Sequence, residues 1–509
     1  MRRAPMPSWR RPTGRSMPRR TAAAAVPASP PTSAARIIAV TATRHAMRTE
    51  QSMPPELTRR RLLALSAGTA GTLLANPALR PAFAASVGKP RVIVVGAGIA
   101  GLSAARTLKE RGIEVIVIEA RERIGGRIST DRSLGVAVER GASWMHGMNG
   151  NPLAGLVRDL KLSTFFSNYD DYEVWLPDGE RPEEWELEDA VDAFEAVLEK
   201  AADEAEEGSD LSLLEAIDQL DPGMLKDPLS GWMLSSEIED DGGAPLSRIS
   251  ALQYGEDRGF DGPEALLPDG LGRVVEGLAK GLDIRLGEPV RRISHGGGQV
   301  VVETAKERHS GTHVISTLPL GVLKAGHVVF DPPLPKGHAG SIASLGFGAV
   351  TKVSLKFDRC FWPKETQFLS YAARERGRWP TMINLMPVSG ASILTLVSTG
   401  DYALKSEAMS EAELQADISA VLGEMFGAEA RPPEKMVTAQ WSRDPFALGV
   451  YSYPAVGCTP ADFNRLAEPV AARLFLAGEH TIFEHHGTAH GAFMSGERAA
   501  GQVIAALGG

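Results

Sequence analysis

Gly96-Ala97-Gly98-Ile99-Ala100-Gly101 places three glycines where a chain must turn sharply and bring bare backbone close to a ligand. A diphosphate suits such a place. The first glycine permits the turn, the second lets the backbone approach the pyrophosphate, and the third lets a helix pack closely on a strand. Glu119 stands 18 residues after Gly101, where a carboxylate accepts hydrogen bonds from ribose hydroxyls. Four histidines, His480, His485, His486 and His490, crowd one later stretch, but their spacing matches neither H-E-x-x-H nor a paired zinc pattern, and no metal is assigned to them. The only two cysteines, Cys360 and Cys458, cannot build a disulfide framework or a four-thiolate zinc site. Whether they pair depends on a separation that sequence does not give.

For the glycines to act, a strand must deliver them and a helix must receive the anion. Arg91–Val95 reads as a buried parallel strand, because it is a short β-branched run without polar alternation. A helical pattern follows to about Arg111, and Glu114–Ile118 reads as a second strand ending at Glu119. The free N–H groups and dipole at the helix start favour a phosphate. Strand, glycines, helix, strand and acid in that order make a dinucleotide-binding unit. Further on, Glu184–Glu207 reads as an acidic helix with a solvated face, 350–357, 392–397 and 435–441 as strands, and 408–425 as a helix. Gly296-Gly297-Gly298 is a hairpin turn and not a second phosphate loop, since no helix follows it.

Glu119-Ala120-Arg121-Glu122-Arg123-Ile124-Gly125-Gly126-Arg127 resembles the E-A-x-x-R-x-G-G-R signature of the flavin-dependent amine oxidases, the superfamily of polyamine oxidases, monoamine oxidases and lysine-specific demethylases, which hold FAD. Arg121 and Arg127 would then serve the cofactor. Gly141-Ala142-Ser143-Trp144-Met145-His146-Gly147 is similar to the segment that passes the flavin face in polyamine oxidases. Val290 matches a family valine whose backbone contacts adenine. Ser316-Thr317-Leu318-Pro319-Leu320-Gly321-Val322-Leu323 matches another family block, and the stretch around Lys352 carries the family lysine. Leu476 to Thr481 and Thr488 to Ala492 resemble the C-terminal flavin segment, with Glu479, Thr488 and Ala489 at cofactor positions.

The resemblance implies an α/β plus α+β architecture: a discontinuous Rossmann-like FAD domain over 88–165, 266–340 and 465–509, with an interleaved mixed-sheet and helical substrate domain over 166–265 and 341–464. It implies hydride transfer from the carbon beside an amine nitrogen to flavin N5, with O2 as acceptor and hydrogen peroxide as product. Lys352 would hold a water at N5 and assist reoxidation. Tyr451 matches one wall of the aromatic cage of monoamine oxidases, while the opposing wall is Thr488, a departure that favours secondary or extended amines over small aryl monoamines. Val450 stands where monoamine oxidases attach flavin through cysteine, so FAD should be held non-covalently. His146 matches an active-site histidine or glutamate of polyamine oxidases, and an imidazole can tune amine protonation or bond a distal nitrogen. Glu237 falls near a family carboxylate that attracts polycations; a solvated acid is the alternative. An L-amino-acid oxidase, needing a carboxylate clamp, or another amine or nitrogen-heterocycle oxidase is the alternative enzyme. A flavoprotein that only transfers electrons or binds is the alternative outside catalysis. Histone demethylation fits less well with an export signal.

Composition bounds these readings. The chain has 509 residues, 43% of them hydrophobic and 23% charged, which supports a large core and excludes a disordered or wholly membrane-embedded protein. The net charge of -9 conceals a split: residues 1–84 carry 14 arginines, no lysine and two acids, hence +12, and the remainder carries -21. Within the basic front end, Thr58-Arg59-Arg60-Arg61-Leu62-Leu63 opens an apolar run to about Ala75, and Ala82-Phe83-Ala84 offers a small-x-small cleavage site. That order resembles a twin-arginine signal, with cleavage after Ala84, the translocation machinery as partner, and a periplasmic or extracellular destination. The apolar run is too short for a stable membrane span, which needs roughly 20 residues. A mature charge of -21 repels nucleic acid. The sequence is silent on oligomeric state.

Overall fold

The computed structural model describes residues 90–207 and 209–508, so the expected signal and its cleavage site lie outside the described residues. A five-stranded parallel sheet forms the centre of the nucleotide-binding region, in the order Leu474–Leu476, His313–Ser316, Arg91–Val95, Glu114–Ile118, Asp283–Arg285. Its strands come from both ends and the middle of the chain. Val92 and Val94 face one apolar cluster with Leu102, Leu108, Phe493 and Val503, whereas Ile93 and Val95 face another with Val300, Val302 and Phe463. Both faces are covered, which is why the strand shows no polar alternation.

The first described helix, Ile99–Glu110, and the last, Ala489–Gly508, lie against one another. Ser103 Oγ donates to the Phe493 carbonyl at 2.9 Å, across 390 residues of sequence. A Cβ on Gly496 would stand 2.1 Å from the Ala100 carbonyl oxygen, so only glycine allows this approach. Beside this unit, Arg308–Gly311, Val300–Thr304, Val290–Ser294 and Val329–Asp331 form a second sheet. The triple glycine turns the antiparallel hairpin between its two middle strands.

The substrate-side sheet has six strands, ordered Lys435–Gln440, Thr351–Lys356, Ile393–Ser398, Thr381–Asn384, Phe368–Tyr371 and Tyr172–Trp175. The acidic helix Glu184–Glu207 buries Val191, Phe194 and Val197 and exposes Glu188, Asp189, Asp192, Glu199, Asp203 and Glu204. The helix expected over 408–425 is present as Glu411–Phe426, and a separate helix, Gly400–Ala408, precedes it. Ser410 starts the second with a capping box to Glu413, a signal present in the sequence as Ser410-Glu411-Ala412-Glu413. The edges expected at 165/166 and 265/266 fall inside strands Phe165–Ser167 and Glu264–Leu266, which with Trp144–Met145 form one small sheet. That sheet ties the two regions together. Cys360 and Cys458 are free thiols in different parts of the core. Among the described residues, no helix is long and apolar enough to cross a membrane.

Candidate active site

A cavity of about 800 Å³ lies between the carboxyl ends of the parallel strands and the six-stranded sheet. Ligands of open α/β sheets bind at such strand ends. Val95, Glu119, Thr317 and Glu479 reach it from one side, and Lys352, Phe368 and Val397 from the other.

One half of the cavity has the form of a dinucleotide cradle. Gly98 is the N-cap of Ile99–Glu110 and supplies no side-chain cap, so the helix N–H groups are open to a ligand. A Cβ there would meet nothing within 4 Å, whereas one on Gly101 would stand 2.0 Å from the Gly96 carbonyl oxygen. The first glycine thus clears space and the second permits packing. Glu119 is nearly buried and accepts from the Ala97 N–H at 2.8 Å and the Arg121 N–H at 2.9 Å. Each oxygen keeps a lone pair for a ribose hydroxyl. Ala100, Ala142, Val290 and Ala489 also line this space.

The arginines do other work. Arg127 Nη1 donates to Glu479 Oε1 at 2.8 Å and to the Val450 carbonyl at 2.6 Å. Arg121 is held by Asp444 at 2.6 Å. Glu479 also accepts from the Ser452 N–H and hydroxyl and from the Gly487 N–H. Burial opposes its ionisation, but the Arg127 guanidinium and the adjoining donors override it and bring the carboxyl down to about 2. Arg127 and Glu479 therefore lock the early loop, the Val450–Ser452 segment and the C-terminal segment around the cavity. Thr488 caps the last helix, its hydroxyl accepting from the Gly491 N–H at 2.9 Å and donating to the His485 carbonyl at 2.9 Å. That hydroxyl is engaged within the fold.

Lys352 sits in the strand Thr351–Lys356 with its Nζ donating to the Gly141 carbonyl at 2.9 Å and Ser143 Oγ at 2.8 Å. It lies 5.6 Å from the Trp144 ring centre. Two of three ammonium protons are thus engaged, leaving one donor. Burial lowers its pKa, with Asp240 and Glu139 opposing. Trp144, Tyr169 and Phe368 form an aromatic wall with ring centres 5.4 to 6.3 Å apart. Tyr451 stands on the cavity with its hydroxyl donating to the Asp240 carbonyl.

Acids gather beside this wall. Glu237 lies in the π-helix Leu234–Glu239, and Asp240 and Asp241 follow it directly. All three line the cavity with Asp257. Burial, reinforced by Asp240, raises Glu237 to about 7. Burial raises Asp240 to about 6, against the pull of Lys352 and His146. Asp241 has accessible surface, but it opens into the cavity, and enclosure together with Asp257 raises its pKa as well. His146 is also on the wall, its Nδ1 2.8 Å from Glu264 Oε2.

The family model described as "Flavin containing amine oxidoreductase" matches residues 99–504. The chain belongs to this family. It is an oxidoreductase of amine donors with a flavin cofactor. It is 34% identical over 433 residues to "Probable polyamine oxidase 4" of Arabidopsis thaliana, covering 80% of this chain and 86% of the relative. It is 33% identical over 474 residues to "Lysine-specific histone demethylase 1 homolog 1" of Oryza sativa subsp. japonica, covering 86% of this chain but only 55% of that protein. A solved putrescine oxidase bound to putrescine superposes with a TM-score of 0.67 at 22% identity, over 82% of this chain and 99% of that one, a likeness of fold.

Residues assigned to the site from the sequence gather on this one cavity. Glu119, Arg121, Arg127, Lys352, Tyr451, His146, Glu237, Val290, Glu479 and Thr488 all line it. The sequence reading missed Tyr169, Phe368, Asp240, Asp241, Asp257 and Glu264. The run Glu237-Ile238-Glu239-Asp240-Asp241 was a visible acidic signal. Glu264 and Phe368 had none, since strand pairing alone brings them in.

Proposed function

We propose that the protein is an exported polyamine oxidase holding FAD non-covalently. The observation that supports the substrate class is the set of Glu237, Asp240, Asp241 and Asp257 on the same cavity as Lys352 and Tyr451. A chain of ammonium groups needs anions spaced along its path, and four carboxylates supply them. Gly98, Glu119 and Val290 would hold FAD, which when bound would supply the two-electron acceptor for oxidising the carbon beside the amine nitrogen to an imine or aldehyde, with O2 reduced to peroxide.

The residues bind, orient and exclude water. The acids take the distal ammonium groups, and a bound cation favours their charged forms. Trp144, Tyr169, Phe368 and Tyr451 hold the aliphatic stem and keep the reacting carbon dry. Lys352, pinned by Gly141 and Ser143, directs its remaining proton toward the reaction space, in keeping with a role in handling a water or oxygen there. Val450 offers no thiol, so a thioether to the cofactor cannot form at that position.

A peroxide assay with spermidine, spermine, putrescine, benzylamine and L-amino acids tests the reading. Turnover confined to the polycationic amines supports it. Turnover of benzylamine or amino acids alone overturns it, and flavin reduction without peroxide release favours an electron-transfer role. For export, the support is Arg59-Arg60-Arg61, the apolar run and Ala82-Phe83-Ala84. N-terminal sequencing of protein recovered outside the cytoplasm should begin at Ala85; retention of the full chain in the cytoplasm counts against export.

A further inference from the structure

Lys352 Nζ gives one hydrogen to the Gly141 carbonyl at 2.9 Å and one to Ser143 Oγ at 2.8 Å. What stands at its third position depends on its charge. An ammonium has a third N–H there, which can hold a water by its oxygen or stabilise negative charge on oxygen, whereas a neutral amine has a lone pair there. We propose that Glu139, standing behind the cavity wall, is a positioning residue that holds Lys352 in the ammonium form and so keeps that third N–H available to the reaction space. The inference rests on the amine-oxidising reading above and assigns control of its lysine to a second residue.

One pinned stretch of chain carries the acid and both acceptors. Thr130 lies opposite Glu139 in the antiparallel pair Thr130–Asp131 and Val138–Glu139. Beyond it, the Arg140 N–H donates to the Ser129 carbonyl at 2.9 Å and the Ala142 N–H to the Arg127 carbonyl at 3.3 Å. A Cβ on Gly141 would stand 1.8 Å from the Arg127 carbonyl oxygen, so only glycine allows the chain to lie this close. Carboxylate, carbonyl and hydroxyl thus follow at every second residue along a fixed run, from Glu139 to Gly141 to Ser143, and Lys352 reaches that run from the six-stranded sheet.

The two oxygens of Glu139 are unequally supplied. Oε1 accepts from Thr130 Oγ1 at 2.8 Å and from the Leu271 N–H at 2.6 Å, and Thr130 Oγ1 in turn accepts from the Gly272 N–H at 3.0 Å. These donors open the helix Gly272–Ala279, whose N-terminus favours an anion. Oε2 is enclosed and has no hydrogen-bond partner. A charge enclosed in that way needs a facing cation, and the cations acting on Glu139 are Lys352 first and Arg132 second. Lys352 faces two carboxylates, Asp240 from the segment after the π-helix and Glu139. Asp240 lines the cavity, where an incoming ammonium engages it, whereas Glu139 is not part of the lining and stays with Lys352 when a substrate cation is bound. Burial pushes the lysine pKa down and the Glu139 carboxyl up, and each group supports the charged form of the other against that push.

Glu139→Gln tests the assignment on the full-length, flavin-loaded protein, since glutamine keeps an oxygen for Thr130 and Leu271 and removes the charge. In protein labelled with carbon-13 at lysine Cε, the NMR signal missing from Lys352→Met identifies Lys352, and its shift follows the ammonium through a pH titration. The expected result is an ammonium in the wild type at pH 7 and a titration midpoint about one pH unit lower, a tenfold change in the equilibrium, in Glu139→Gln. Anaerobic flavin reduction by spermidine should stay within roughly twofold of the wild type. Reoxidation by O2 in the alkaline range should be about tenfold slower and recover as pH falls, because a lower lysine pKa restores the ammonium only at lower pH. Thr130→Val, which removes a donor to Oε1 but no charge, is the structural control: it should lower the melting temperature and leave the Lys352 midpoint in place. A neutral Lys352 in the wild type at pH 7, or an unmoved midpoint in Glu139→Gln, overturns the proposal. If Glu139→Gln fails to load flavin, the reciprocal measurement decides: with carbon-13 at glutamate Cδ, one carboxyl should titrate about one unit higher in Lys352→Met than in the wild type, and no such movement overturns the proposal. Both titrations are read without substrate, so their failure is distinct from a failure of the polyamine reading.

Discussion

Replacing Glu479 by glutamine should unfasten the cavity at a point the structure allows to be weighed. The carboxylate joins Arg127, Ser452 and Gly487, three stretches distant in sequence, and its side chain is 4% exposed. Its carboxyl lies at about 2 against an ordinary 4.5, a difference worth about 3 kcal/mol of native stability at neutral pH. That agrees with the roughly 3 to 5 kcal/mol lost when one member of a buried ion pair is removed. The sign follows from the direction. A folded-state pKa below the unfolded one adds stability that is fully present above pH 4.5 and is lost as pH falls toward 2. Urea unfolding of flavin-loaded wild type and Glu479→Gln should therefore differ by about 3 kcal/mol at pH 7 and by about half that at pH 3. A difference under about 1 kcal/mol at pH 7, or one as wide at pH 3 as at pH 7, would refute the reasoning.

Lys352→Met should fold within about 1 kcal/mol of the wild type, because burying a cation has its own cost. Its flavin should be reduced by amine without oxygen but reoxidise at least tenfold more slowly in air; stopped-flow absorbance reads both, and unchanged reoxidation removes Lys352 from that role. Because Glu237 titrates near 7, KM for spermidine should fall as pH rises from 6 to 8. In Glu237→Gln it should be about tenfold higher at pH 8 and fall less steeply with pH, Asp240 and Asp241 supplying the remainder; a parallel pH profile in the variant would show that the slope belongs to those groups alone. Acid precipitation should release all the flavin into the supernatant, since Val450 lacks a thiol, and yellow colour kept by the washed pellet would disprove it. Gly98→Val adds side-chain bulk where the cavity is open, so flavin content should drop while the apoprotein melts unchanged; full loading would show that the phosphates lie elsewhere.

The nucleotide half of the site was legible because its parts are neighbours in the chain. Arg91–Val95, the glycines, Ile99–Glu110 and Glu119 lie within 30 residues, and each position has a local physical task. The acidic helix was equally plain from its periodicity. The helix expected over 408–425 was legible too, and the capping box of Ser410 and Glu413 marks its start. Less legible was what the family positions do. Arg127 and Glu479 stand in cofactor motifs, yet the fold turns them toward one another, and Thr488 uses its hydroxyl to cap a helix.

Local spacing thus determined a dinucleotide cradle, and the order of motifs along the chain pointed to a flavin-dependent amine oxidoreductase before any contact was known. Tertiary structure alone decided which carboxylates meet the substrate space and which acid stands beside His146. Strand register sets His146 against Glu264 over more than 100 residues of chain, and the π-helix turns Glu237 and Asp240 into the same enclosed space as Lys352. The reason is physical: a carboxylate's chemistry depends on burial and on the charges facing it, and both are properties of neighbours in space.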